Sequence, residues 1–192
     1  MTAWQTLLDF WFDPPTAPDY GKPRAVWFRP RADFDAAIRD RFLPLYQQAA
    51  AGQLEHWQAE PLSCLALLLL LDQVPRNLFR EQPQAYATDA QALAIAKHAL
   101  TRGFTNHSPP VWRWFVYLPL EHSEDLADQA RSLALFQALV GEPGCDRAAQ
   151  SAQEHYDLIA PLRPLPPTAT PSCAAPPPPE ELAFLQEPGS RF

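Results

Sequence analysis

The sequence predicts an all-α fold built of consecutive antiparallel helix pairs. Three observations lead there. No segment sustains the apolar–polar alternation that a half-buried strand shows. Several stretches instead repeat apolar residues at helical spacing ahead of a glycine stop, as in Phe34, Ile38, Phe42, Leu45 and Ala49 before Gly52. The run Leu65 to Leu71 is apolar on every face, which places it in the middle of a core.

The elements follow in order. Thr2 to Phe12 reads as a short helix with Trp4, Leu7, Leu8 and Trp11 on one stripe. Pro14, Pro15, Pro18 and Gly21 force an irregular connection, which Trp27 and Phe28 are expected to anchor on the core. Asp33 is the expected N-cap of a helix to about Ala51, kinked at Pro44. Pro61 can start the central helix at its first position, and Pro75 interrupts that helix. There the carbonyls one turn back lose their usual donor. Thr88-Asp89 caps a helix to Arg102 with Leu93, Ala96 and Leu100 inward and Gly103 beyond its end. Pro109-Pro110 opens the next helix. Ser123, followed by Glu124 and Asp125, is the expected N-cap of a helix to about Val140, with Leu126, Ala130, Leu133 and Phe136 inward. Asp146 to Ile159 and Glu180 to Gln186 complete the set.

A chain of 192 residues with 47% apolar content supports one domain with a real core. A net charge of −7 argues against non-specific nucleic-acid or anionic-membrane binding, both of which want a basic face. No apolar run reaches the roughly 18–20 residues of a membrane span. Cys64, Cys145 and Cys173 are odd in number and widely spaced, which argues against a disulfide framework. The N-terminus lacks a basic region and carries Asp9 early, unlike a signal peptide. A cytoplasmic location is the expectation; the oligomeric state is left open.

Two polar clusters stand out. The first is Asp72, Gln73, Arg76, Asn77 and Arg80, directly behind the apolar run. On a helix Asp72 and Arg76 can pair, while Gln73 and Asn77, like Arg76 and Arg80, lie one turn apart. The bland reading is a buried network that sets helix packing. The functional reading is recognition of a small anionic or peptide ligand by the Arg76 fork. The second cluster is His122, Ser123, Glu124, Asp125 and Gln129, with His155 on a later helix. It reads either as helix capping or as a ligand site. His122 and Glu124 are the candidate acid–base pair of a cofactor-independent hydrolase or lyase. The combined site candidates are Asp72, Gln73, Arg76, Asn77, Arg80, His122, Ser123, Glu124, Gln129 and His155. A third reading makes both clusters structural, in a protein-interaction scaffold. No metal or cofactor is expected, since metal-ligand spacing, P-loop, G-x-G-x-x-G and G-x-S-x-G patterns are all missing.

Several pieces together resemble one family. They are D-F-W-F at 9–12, L-A-L-L-L-L-L-D-Q-V-P-R-N-L-F-R at 65–80, A-Y-A-T-D at 85–89 and L-P-L-E-H-S-E-D at 118–125, followed by Gln129 and His155. The chain resembles the bacterial DUF924 family, of uncharacterised function. The resemblance implies a tetratricopeptide-like helical fold and no particular activity.

The resemblance breaks after Ala160. Residues 1–160 read as the helical domain, 161–179 as a proline-rich irregular segment, and 180–192 as a short helix and tail. Nine of the chain's 23 prolines are Pro161, Pro164, Pro166, Pro167, Pro171 and Pro176 to Pro179. Where the family carries something like R-F-G-R-F-P-H-R-N, this chain reads P-L-R-P-L-P-P-T-A. The coding string CGC TTC GGC CGC TTC CCC gives R-F-G-R-F-P. With one C added in front it reads CCG CTT CGG CCG CTT CCC, which is P-L-R-P-L-P. A further one-base shift turns H-R-N-A-I-L-R-R into P-T-A-T-P-S-C-A, and a third restores the frame before Glu180. We read 161–179 as an out-of-frame version of the family segment, from a compensated frameshift or a sequencing artefact. The alternative is a solvated proline-rich linker. The lost cations make an anion site more plausible for the family than for this chain. Resequencing the gene through its C-runs is expected to recover the in-frame motif if the cause is an artefact. A clean read of the printed residues leaves the genuine mutation or the linker.

Overall fold

The computed structural model describes residues 2–162, and these contain eight α-helices and no strand. The first, α1 (Ala3–Phe12), starts at a capping box. The Gln5 amide donates to Thr2 Oγ1 at 3.4 Å, and the Thr2 amide donates to Gln5 Oε1 at 2.8 Å. Its last carbonyls are satisfied from the following loop. Arg24 donates to the Phe10 and Trp11 carbonyls, both at 2.8 Å, and the Trp27 indole donates to Trp11 at 3.0 Å. Trp27 anchors the loop as expected. Phe28 does not: it is 55% exposed, its ring lying over Phe115 at 6.4 Å.

The second helix, α2 (Ala32–Ala50), runs through Pro44. Its N-cap is Arg31, not Asp33; Asp33 sits in the first turn and pairs with Arg31. Tyr46 takes the buried position expected of Leu45, which is only partly covered. Gly52, at φ +76°, turns the chain out of the helix.

The centre of the fold is α3 (Pro61–Leu68), a π turn (Leu69–Gln73) and α4 (Val74–Leu78), all in one continuous rod. Proline has no N–H, and its ring clashes with the carbonyl four residues back, here that of Leu71. Widening the helix removes the clash. The Val74 amide reaches back to Leu69 instead, one residue further than in an α-helix. The freed Leu71 carbonyl accepts the Thr88 hydroxyl at 2.5 Å. Thr88 therefore does not cap the next helix, α5 (Asp89–Thr101), with its side chain. Ala92, Ile95, Ala96 and Ala99 form the buried face of α5, and Leu93 and Leu100 flank it half-buried.

The remaining helices are α6 (Pro110–Glu121), α7 (Leu126–Gln137) and α8 (Asp146–Leu162). From α5 to α8 each packs on the next, an order compatible with tetratricopeptide-like stacking. The N-cap of α7 is Asp125, not Ser123: its carboxylate accepts from the Ala127 and Asp128 amides at 2.8 and 3.2 Å. The buried face is also displaced. Asp128, Gln129, Ser132 and Phe136 face inward, Leu126 and Leu133 are half-buried, and Ala130 is exposed. Gln129 donates to the Glu121 and Ser123 carbonyls, at and just beyond the end of α6, and Ser132 to the Tyr117 carbonyl within it; Gln129 Oε1 is buried without a partner among the described residues. The helix stops at Gln137, short of Val140. In contrast, α8 continues past Ile159 and across the boundary placed at residue 160. The rest of the proline-rich segment and the helix expected at 180–186 lie outside the described residues.

Thr88 is 4% exposed. Replacing Thr88→Val keeps the shape but strands the Leu71 carbonyl, and is expected to cost about 1–3 kcal/mol in urea unfolding.

Candidate functional site

The π turn delivers Asp72 into the interior, where it is 1% exposed. A buried carboxylate needs partners on both oxygens, and Asp72 has them. Oδ1 meets His122 Nδ1 at 2.7 Å and Arg76 Nη2 at 3.5 Å; Oδ2 accepts from Gln73 Nε2 at 2.6 Å. Burial pushes the Asp72 carboxyl up. The charges and hydrogen bonds of His122, Arg76 and Gln73 outweigh it and hold the group below its ordinary value. An ionised Asp72 accepts from Nδ1–H of His122, so Nε2 is the lone-pair nitrogen of the neutral ring. His122 caps the C-terminus of α6 with 19% of its side chain exposed, and its Nε2 has no hydrogen-bond partner among the described residues.

Arg76 joins this carboxylate to a second. Its Nη2 reaches Asp89 Oδ2 at 3.1 Å, its Nη1 the Ala85 carbonyl at 3.5 Å, and the guanidinium lies 5.2 Å from the Tyr86 ring centroid. Burial pushes the Asp89 carboxyl up, and Arg76 opposes that only in part. Arg76 Nε and Asp89 Oδ1 are buried without partners among the described residues.

The five polar residues of the central stretch thus divide. Asp72, Gln73 and Arg76 form the cluster just described. Asn77 and Arg80 turn toward α2: Asn77 Nδ2 donates to the Gln73 carbonyl at 3.0 Å, and Asn77 Oδ1 accepts from Arg80 at 2.9 Å. Arg80 holds Asp35 with two bonds of 2.7 and 2.9 Å. Arg39 also donates to the Leu78 carbonyl. This second group ties α4 to α2.

The later cluster divides as well. His122 belongs with Asp72, but Glu121, one residue earlier, faces α8. It is 2% exposed, lies 3.0 Å from His155 Nδ1 and accepts the Ser151 hydroxyl at 3.1 Å. Burial lowers the His155 ring, but the Glu121 carboxylate beside it wins and raises it above its ordinary value. Ser123 donates to Asp128, which also holds Lys97 at 2.7 Å. Glu124 lies on the exposed turn before α7. Asp89, Thr88, Glu121 and Ser151 complete these networks, and spacing alone did not single them out. Thr88 and Asp89 lie in A-Y-A-T-D, where they read as a helix cap, and Glu121 lies in L-P-L-E-H-S-E-D; Ser151 carried no signal.

Of two surface clefts, near Arg24 and near His107, neither is lined by Asp72, Arg76 or His122. Among the described residues no group of three or more His, Cys, Asp or Glu is placed to hold a metal, and no helix is long and apolar enough to cross a membrane. Burial pushes the Cys64 thiol up to about 12, which removes it as a nucleophile near neutral pH.

A family of bacterial proteins of unknown function, DUF924, matches residues 7–189. The chain belongs to the DUF924 family. The match runs across the proline-rich stretch and into the segment after it. The chain is also similar to a solved structure of a protein of unknown function from Agrobacterium tumefaciens. The two share 34% identity over 95% of this chain and 96% of that one, with a TM-score of 0.73. None of the curated proteins matches it. In this DUF924 protein the central motif residues are accordingly ones whose geometry, rather than any relative's activity, carries the functional reading.

Asp72 has a folded-state pKa below its unfolded one. Its ionised form contributes stability above the unfolded value of about 3.9, and that contribution is lost as pH falls through the lower folded value. Asp72→Asn is expected to cost about 3–5 kcal/mol near neutral pH. The gap to wild type should close as denaturation is repeated at progressively lower pH.

Proposed function

We propose that this protein is a binding module whose ligand meets the Arg76–His122 edge of the Asp72 cluster. One observation carries the reading. Asp72 uses both oxygens to hold its neighbours, and the imidazole it orients keeps Nε2 unpartnered at a partly exposed position. A cluster with a purely architectural role gains nothing from leaving that nitrogen open. The ligand class that fits is a small molecule or peptide bearing a carboxylate or phosphate. Arg76 already shares its charge with Asp72 and Asp89. An anion is therefore best received with His122 protonated, when both of its ring nitrogens donate.

A second reading is favoured by the 2.7 Å contact between Asp72 and His122. A buried carboxylate on Nδ1 is the arrangement that orients an imidazole as a general base. On this reading His122 moves the proton, in a cofactor-independent hydrolase or lyase, with Glu124 as the candidate partner acid.

Thermal-shift screening against anionic metabolites tests the proposal. A ligand present at 100 times its Kd is expected to stabilise the folded state by about 2.7 kcal/mol, a shift of several degrees. His122→Gln should abolish the shift while leaving a cooperative melt. An unchanged melting temperature across the panel, or a shift that survives His122→Gln, would overturn the assignment. Turnover of a binding metabolite by wild type and not by His122→Gln would select the enzyme reading.

A further inference from the structure

A second place on the molecule, sharing no residue with the Asp72 cluster, has the makings of a ligand site. It is a cleft of about 340 Å³ between the end of α1 and the first half of α2. That lies in the range of small-molecule pockets, roughly 300–1,000 Å³. Asp9, Phe10, Asp13, Arg24, Phe34 and Arg41 are among the residues that line it.

The four charges in the cleft are not equivalent. Arg24 is engaged: it donates to the Phe10 and Trp11 carbonyls and lies 3.4 Å from Asp13. That leaves Asp9 and Arg41, neither of which has a hydrogen bond or ion pair among the described residues. Asp9 is half-buried in the last turn of α1, where the helix dipole is negative. Asp13 follows one turn later, and that last turn contains no basic residue. A carboxylate in this position is short of a cation.

Arg41 is held back from supplying one. Its guanidinium lies over the Phe10 ring, 4.8 Å from the centroid, and 5.4 Å from that of Phe42. Stacking occupies the face of a guanidinium and leaves its N–H edge free for an anion. Phe10 and Phe34 add an apolar wall to the cleft, their rings stacked at 5.1 Å with planes 9° apart. A simple cation satisfies only Asp9, and a simple anion only Arg41.

We propose that this cleft binds a small zwitterion of the α-amino-acid class, its ammonium group on Asp9, its carboxylate on Arg41 and its side chain against Phe10 and Phe34. The argument is independent of the ligand assigned to the Asp72 cluster.

L-phenylalanine and two derivatives test it on the ¹⁵N-labelled full chain. The amide keeps the ammonium group and loses the carboxylate; the N-acetyl derivative does the reverse. The free amino acid is expected to shift the amide resonances of residues 6–13 and 34–41. It should bind at least about tenfold more tightly than either derivative, because each derivative forgoes one charge-assisted contact. Asp9→Asn should weaken L-phenylalanine and its amide but not the N-acetyl form. Arg41→Gln should weaken L-phenylalanine and the N-acetyl form but not the amide. Both variants should keep the wild-type circular dichroism spectrum, as cleft-surface changes. The proposal is overturned if millimolar L-phenylalanine shifts no resonance in the cleft, if the derivatives bind as tightly as the free amino acid, or if folded variants bind it unchanged.

Discussion

The architecture of the centre depends on one missing hydrogen. Pro75 cannot donate to the helix that precedes it, and its ring cannot lie against the Leu71 carbonyl. The rod answers with a π turn over Leu69–Gln73 and passes the Leu71 carbonyl to the Thr88 hydroxyl. The extra residue in that turn changes which faces the following side chains occupy. Asp72 and Gln73 become buried at the point where α5 begins and α6 ends. A break that could have been a simple corner thus becomes the meeting point of three elements.

Bringing a carboxylate there has an energetic consequence. Desolvation works against Asp72, and His122, Arg76 and Gln73 together outweigh it. Asp89 lacks such a set of partners and is displaced the other way. The last residues of α6 repeat the motif in a second direction. Consecutive helical residues point about 100° apart, so Glu121 reaches His155 and Ser151 on α8 while His122 reaches Asp72. One helix end thereby fixes two junctions. Buried ion pairs of this kind add little net stability over apolar packing, but losing one partner is costly. They therefore specify an arrangement more than they strengthen it. The His122 ring is the member of these networks whose second nitrogen is left without a partner among the described residues. Arg76 Nε, Asp89 Oδ1 and Glu121 Oε2 also lack partners among the described residues, but those atoms are buried, whereas the His122 ring is partly exposed.

Much of the helical plan was legible. The all-round apolar run, the stops at Gly52 and Gly103 and the start at Pro61 are local signals, and the helices follow them. The contact between Asp72 and Arg76 was readable too, because i,i+4 spacing survives the π turn as a 3.5 Å approach. The misplaced features share a cause. Ser123 and Thr88 have the chemistry of N-caps, but the Ser123 hydroxyl donates to the Asp128 carboxylate and the Thr88 hydroxyl to the Leu71 carbonyl. Ala130 was expected inside because apolar residues usually are. Gln129 and Ser132 displaced it by donating to the carbonyls of a neighbouring helix.

Sequence by itself determined most of the helical plan, which rod is central, and that a proline disturbs it beside a dense polar group. These follow from periodicity and from the covalent limits of proline and glycine, which act over one or two turns. Tertiary structure decided the rest. It divided Asp72 and Arg76 from Asn77 and Arg80, joined Asp72 to His122 across fifty positions, and set Glu121 against His155. A buried charge selects its partner by position in space, and no spacing along the chain encodes where a later helix will place its end.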